Sequence, residues 1–204
     1  MTEPVKESAT ILDATAGNRM MWRTKEDSRI LWIDIEPDLT ITPDILLDCT
    51  DTKFEEKRFN LIVFDPPHIV GGRKYGSVFS TPNMTEQGKK WRPGRSVPAY
   101  YGSDKYQTRN ELLSFITKAE KEFYRILSDN GVLFIKWNEV TIPLEEILGI
   151  FSKWKIMIKI PVKKIKNEDT FTYWLLLMKD IANPLISESI NIIRSETIKP
   201  LENW

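Results

Sequence analysis

Apolar positions along this chain fall into short runs rather than long periodic tracts. Thr10-Ile11-Leu12-Asp13, Arg29-Ile30-Leu31-Trp32-Ile33-Asp34, Asp44-Ile45-Leu46-Leu47-Asp48-Cys49 and Asn60-Leu61-Ile62-Val63-Phe64-Asp65 each set a few apolar residues between polar ones. Runs that short, apolar on both faces, predict strands of a buried parallel sheet. Gly131 to Glu139 predicts a fifth strand, polar only at its carboxyl end. Between the fourth and fifth strands, Leu112, Ile116, Ala119, Phe123 and Ile126/Leu127 recur at helical spacing. Thr108-Arg109-Asn110-Glu111 forms a capping box before them, and Asn130-Gly131 predicts the stop. Pro143 opens a short helix with Leu144, Ile147, Leu148 and Phe151 inward. Trp154–Ile160 and Phe171–Met178 predict two final strands. The connector from Glu36 to Pro43 is too short for a full crossover helix, so the expected α/β sheet has trimmed helices.

The turns after these strands carry the candidate chemistry. In open α/β sheets, ligands lie at the carboxyl ends of the strands. After the first strand, Ala14-Thr15-Ala16-Gly17-Asn18 is small and turn-forming, then Arg19-Met20-Met21-Trp22 is helix-compatible. Strand, small-residue turn and helix form a nucleotide-binding beginning, because small residues let backbone approach a ligand. Asp34 ends the second strand 17 residues after Gly17, a place from which an acid bonds ribose hydroxyls. Ile35 could pack on an adenine face, and Glu36 is a substitute for Asp34. Asp65-Pro66-Pro67-His68 ends the fourth strand, since Pro66 cannot continue the ladder. It offers a carboxylate, a rigid carbonyl and a flat ring. Asp65 and the Pro66 carbonyl suit an NH2 group, and His68 suits stacking on its ring. Lys136, Trp137 and Asn138 should reach the same place from the fifth strand.

Residues 71–109 form a long stretch without evident secondary structure, a feature of functional or disordered loops. It mixes aromatics with eight basic residues against Glu86 and Asp104. Arg73, Lys74, Tyr75, Trp91, Arg92, Arg95, Tyr100 and Tyr101 are its candidate substrate contacts. Basic and aromatic side chains together suit phosphate contact and base stacking. That local charge matters because the 204-residue chain as a whole is neutral, with 29 basic and 29 acidic residues. The length fits one domain. A single cysteine, Cys49, excludes an internal disulfide, and a single histidine weighs against a Ser-His-Asp hydrolase. No apolar run reaches the length of a membrane span, and Met1 to Ser8 lacks a signal-peptide core, so an intracellular, cytoplasmic protein is expected. Residues 1–9 read as a polar lead-in, 10–180 as the domain and 181–204 as a tail with a brief amphipathic pattern (Ile186, Ile190, Ile193).

The motifs Ile11-Leu12-Asp13…Gly17, Trp32-Ile33-Asp34, Leu47-Asp48, Val63-Phe64-Asp65-Pro66-Pro67-His68 and Phe134-Ile135-Lys136-Trp137-Asn138-Glu139 occur in one order. In that order the chain resembles compact, phage-type class I amino-methyltransferases that use S-adenosylmethionine (SAM). The resemblance covers residues 10 to about 179. It implies a Rossmann-like sheet ending in an antiparallel hairpin, and SAM as cofactor, with S-adenosylhomocysteine as product and no metal. It implies that Asp13, Ala14, Thr15, Ala16 and Gly17 cradle the methionine part of SAM. Asp34 and Ile35 would hold the nucleoside, and Asp48 with the Cys49 backbone the adenine edge. Asp65, Pro66 and His68 would be catalytic, with Asp65 also beside the cofactor, and Pro67 would line the substrate. Two departures stand out: one glycine in the first motif where many relatives have two or three, and His68 where Tyr, Phe or Trp is usual. Cytosine-N4 enzymes usually carry Ser at the first position of the fourth motif, so Asp65 leans towards adenine N6 in DNA. RNA, protein glutamine or a small molecule as acceptor, and a non-catalytic nucleic-acid-binding module, stay open at this point. Oligomeric state, a dimer included, stays open too.

Overall fold

The computed structural model describes residues 6–70, 105–163 and 171–181. Among the described residues, seven strands form one sheet: β1 (Ile11–Asp13), β2 (Ile30–Asp34), β3 (Ile45–Leu46), β4 (Phe59–Phe64), β5 (Leu127–Asn138), β6 (Trp154–Lys163) and β7 (Phe171–Lys179). Their order is β3-β2-β1-β4-β5-β7-β6. Strands β1 to β5 pair in parallel, and β7 is antiparallel to both β5 and β6. This is the mostly parallel, Rossmann-like sheet with an antiparallel C-terminal hairpin that the sequence implies.

Among the described residues, two helices pack on one face. Helix α1 (Arg109–Ile126) crosses from β4 to β5, and α2 (Leu144–Ile150) follows β5. The capping box forms: the Thr108 hydroxyl accepts from the Glu111 N–H, and the Glu111 carboxylate accepts from the Thr108 N–H. Leu112, Ile116, Ala119, Phe123 and Ile126 are all essentially unexposed against Phe64, Leu133 and Ile135. Phe123 meets Phe64 edge to face at 4.9 Å. Burying each of the leucine, isoleucine and phenylalanine side chains stabilises the fold by about 1.5–3 kcal/mol relative to leaving it in water.

Three boundaries differ from expectation. α1 ends at Ile126, not at Asn130-Gly131, because Leu127 is already extended and pairs with Phe59. The ladder then shifts, with Leu61 opposite Val132, so Asn130-Gly131 lies in the irregularity between the two registers. Gly131 is needed there for space: a Cβ would come 2.7 Å from the Leu127 side chain. The third strand shrinks to Ile45–Leu46, since Asp48 closes a local turn by accepting from the Thr50 N–H at 2.8 Å. Arg19-Met20-Met21-Trp22 is not a helix. Arg19 sits at φ 56°, and the Arg19 and Trp22 N–H groups close tight turns on Ala16 and Arg19 carbonyls.

That third difference explains how the other face near β2 is covered. No helix occurs in residues 14–29 or 35–44. Trp32, 1 % exposed, packs with Ala16, Ile30, Ile11 and Trp22. The Arg19 guanidinium lies 3.8 Å from the centre of its ring and the Lys6 ammonium 4.3 Å. Two cations on an aromatic face thus cover apolar surface where a crossover helix would otherwise lie.

At the far side, β6 is the edge strand, with Ile156, Met157, Ile158 and Ile160 exposed. Lys155 and Lys159 are exposed among them, which suits a solvated edge guarded by charge. Among the described residues, no helix is long and apolar enough to cross a membrane.

Candidate functional site

The register of the parallel strands brings three acids and a lysine to one edge of the sheet. Asp13 lies level with Trp32 on one side and Val63 on the other. Asp34 and Asp65 therefore emerge two residues beyond it on its two neighbours. Phe64 pairs with Ile135, so Asp65, just past the end of β4, comes level with Lys136 within β5. The Lys136 Nζ donates to Asp65 Oδ2 at 2.7 Å, and each side chain is only about a quarter exposed (Lys136 27 %, Asp65 23 %). Burial pushes the Asp65 carboxyl above the ordinary range, and the Lys136 charge pulls it back.

The small-residue turn is stitched to both neighbours. The Ala14 N–H donates to the Val63 carbonyl at 2.9 Å and the Ala16 N–H to the Ile33 carbonyl at 3.0 Å. The Gly17 N–H donates to Asp34 Oδ2 at 2.8 Å. Asp34 Oδ1 accepts from the Glu36 N–H at 2.9 Å. The Thr15 hydroxyl accepts from the Asp65 N–H at 2.8 Å. Thr15 thus ties the first turn to the backbone of the Asp65 turn, a link between residues 50 apart that no local pattern reveals. Gly17 has φ +48°, and a Cβ there would meet nothing within 4 Å, so open space lies above the turn. Ile35, 45 % exposed, stands at the end of β2.

Asp13 is 2 % exposed. Its Oδ2 accepts from the Trp22 indole N–H at 2.6 Å and its Oδ1 from the Thr15 N–H at 3.2 Å. Burial raises its pKa to about 7, those two bonds oppose the rise, and the charges of Asp65 and Asp34 add to it. It orders the turn from beneath. The folded chain therefore holds a proton on Asp13 that the unfolded chain releases near the ordinary carboxylate range, about pH 4. Stability should fall as pH rises from about 4 towards 7, and Asp65 acts in the same direction. Thermal melts from about pH 5 to about pH 8 should show a downward slope in the wild type that is shallower in Asp13→Asn, the difference worth a few kcal/mol at most. Equal slopes in the two proteins would assign the effect elsewhere.

The other expected residues divide clearly. Asp48 is exposed at the end of the third strand, and Cys49 is buried with its thiol pushed up, first by burial and then by Asp48 and Asp34. Such a thiol has no nucleophilic role. Tyr106 packs on Phe115 and senses both Cys49 and Asp48, so the chain returns from residues 71–104 beside the third strand. Glu36 is drawn to Lys105 at 3.7 Å. Pro66 is buried and Pro67 half-buried.

Three expectations are corrected. Trp137 is not a substrate contact: it is 0 % exposed in the core, and its indole N–H donates to the Ile142 carbonyl at 3.1 Å. The alternation along β5 that turns Lys136 towards Asp65 turns Trp137 to the opposite, helix-covered face. Asn138 is spent within the fold, donating to the Thr172 hydroxyl at 2.9 Å and accepting from the Val140 N–H at 3.0 Å. His68 is 8 % exposed and meets Trp137 edge to face at 6.4 Å, so it lines the wall rather than offering an open stacking face. Arg73, Lys74, Tyr75, Trp91, Arg92, Arg95, Tyr100 and Tyr101 lie outside the described residues, as does the tail beyond Ile181.

No protein-family model matches the chain, and no curated protein does. Among solved structures, it is similar to a TehB-like SAM-dependent methyltransferase from Corynebacterium glutamicum, at 15 % identity and TM-score 0.49 over 85 % of this chain and 81 % of that one. A methyltransferase from Streptococcus mutans in complex with S-adenosylhomocysteine is similar at 13 % identity and TM-score 0.38, over 87 % and 91 %. An rRNA methylase from Streptococcus thermophilus is similar at 12 % identity and TM-score 0.40, over 87 % and 90 %.

Proposed function

We propose that this protein is a SAM-dependent methyltransferase acting on an exocyclic amino group of a nucleic-acid base, with adenine N6 in DNA as the first acceptor to test. The observation that carries the reading is the Asp65 carboxylate. It sits at the carboxyl end of β4, held at its backbone by Thr15 and at Oδ2 by Lys136. Among the described residues, Oδ1 has no hydrogen-bond partner, which suits it to accept from an amine.

The residues around it fit the cofactor. Each Asp34 oxygen accepts one backbone N–H and has lone-pair capacity left for a ribose hydroxyl. Ile35 offers an exposed apolar surface for adenine, and Asp48 with the Cys49 backbone would take its polar edge. The open space over Gly17 admits the methionine portion. Bound SAM would supply an electrophilic methyl group on a sulfonium.

The chain's own contribution is to prepare the acceptor. An aromatic amine has its lone pair delocalised into the ring. Hydrogen bonds to Asp65 and the Pro66 carbonyl would draw its protons out of plane and localise that lone pair on nitrogen. Alignment in such a site is worth up to about 7–11 kcal/mol in intramolecular models. A paired base must be flipped or presented in a single strand. The basic and aromatic sequence of residues 71–109 suits that grip and supports a nucleic acid over a small molecule.

The test is transfer of labelled methyl from SAM to duplex DNA, single-stranded DNA, RNA and protein in parallel, with mass analysis of digested products. N6-methyladenine in DNA is the expected product. Label in RNA or on protein glutamine would keep the chemistry and move the acceptor. No label, with no SAM binding by calorimetry, would overturn the reading in favour of a binding module.

A further inference from the structure

We propose that Lys136 is a positioning residue for Asp65: it occupies Oδ2, keeps the carboxylate charged, and so leaves Oδ1 as a dedicated acceptor for the substrate amine. This rests on the methyltransferase reading above. The geometry is specific. Neighbouring strands in fixed register deliver the two side chains from residues 71 apart to a 2.7 Å contact. Both are largely shielded from water, where an ion pair is screened far less than on the surface.

The need for the lysine follows from what else faces Asp65. From β1, the Asp13 carboxyl lies close enough to feel the charge of Asp65, and Asp34 on β2 acts on Asp13 as well. From the first turn, Thr15 touches the Asp65 backbone and carries no charge. On Asp65's own turn, the His68 ring lies edge to face with Trp137 at 6.4 Å. Among the described groups at this edge, Lys136 is the cation in contact with the Asp65 carboxylate, and it opposes the push towards neutrality that burial exerts. A protonated Asp65 would lose acceptor strength and present an O–H to the amine. The pair also restrains rotation of the carboxyl group, so that the free oxygen keeps one direction.

The test uses the full chain with Lys136→Met and Lys136→Arg. Carbon-13 NMR of carboxyl-labelled aspartate, with Asp65 assigned by its loss in Asp65→Asn, reads the Asp65 titration directly. In Lys136→Met the Asp65 titration should move to higher pH. Methyl transfer should fall about 10²-fold near neutrality and regain rate as pH rises with that titration. Lys136→Arg keeps the charge and should keep the wild-type pH profile, though at a lower rate because its planar fork differs. SAM affinity by calorimetry should hold within a few-fold in both. If Lys136→Met strands a charge and unfolds, the double variant Asp65→Asn/Lys136→Met should refold. An Asp65 titration unmoved by Lys136→Met would overturn the proposal, as would an Arg variant with the Met variant's profile. A titration that moves in a protein transferring methyl to no amine would overturn the methyltransferase reading and, with it, this role.

Discussion

Asp65→Asn should lower methyl transfer by about 10²–10³-fold or more and leave SAM affinity nearly unchanged. The substitution keeps size and shape. It removes the charge that pairs with Lys136 at 2.7 Å. It also replaces one oxygen by an NH2, which cannot accept from an amine. If that NH2 faces Lys136, two donors meet. If it faces the substrate, the acceptor is lost. The cofactor's expected partners, Asp34 and the Gly17 turn, are held by separate hydrogen bonds, so calorimetry with SAM should report a dissociation constant within a few-fold of wild type. Loss of SAM binding alongside activity would instead make Asp65 a cofactor residue. Retained activity would remove it from the mechanism.

Trp137→Ala should destabilise the fold by about 3–5 kcal/mol, a large share of the total stability of an ordinary domain. Trp137 is fully buried, packs in the same cluster as Ile142 and Leu144, and its indole N–H satisfies the Ile142 carbonyl. Truncation would leave a cavity and strand that carbonyl. Since His68 rests edge-on against this ring, the Asp-Pro-Pro-His turn should loosen with it. Trp137→Phe separates packing from substrate contact: denaturant melts should show a smaller loss, and methyl transfer below the melt should stay close to wild type. Strong loss of activity in a well-folded Phe variant would return Trp137 to the substrate.

Much of the sheet was legible because its signals are local. The runs that became β2 and β4 are apolar on both faces, and they end where an acid or a proline stops the ladder. The α1 face was equally plain, since a capping box and five core residues at helical spacing repeat one message. Boundaries failed where a tertiary contact outbid a local sign. Asn130-Gly131 looks like a helix stop, yet Leu127 had already joined β4, and the glycine serves a close approach instead. Arg19 to Trp22 could have been helical, but Trp22 bonds Asp13 and Arg19 lies on Trp32.

The sequence by itself determined which residues could stand at the carboxyl ends of the strands: Asp13, Asp34, Asp65 and the Lys136-Trp137-Asn138 run. Strand ends are written in the chain, because apolar runs stop where polar residues and prolines begin. Only the tertiary structure decided how those candidates divide. Parallel register set Lys136 against Asp65 and Thr15 against the Asp65 backbone. Strand alternation sent Trp137 into the core, and the crossing to β7 consumed Asn138. Pairing between strands far apart in sequence leaves no periodic trace in either of them, so the partner of a charged side chain emerges only when the sheet is assembled.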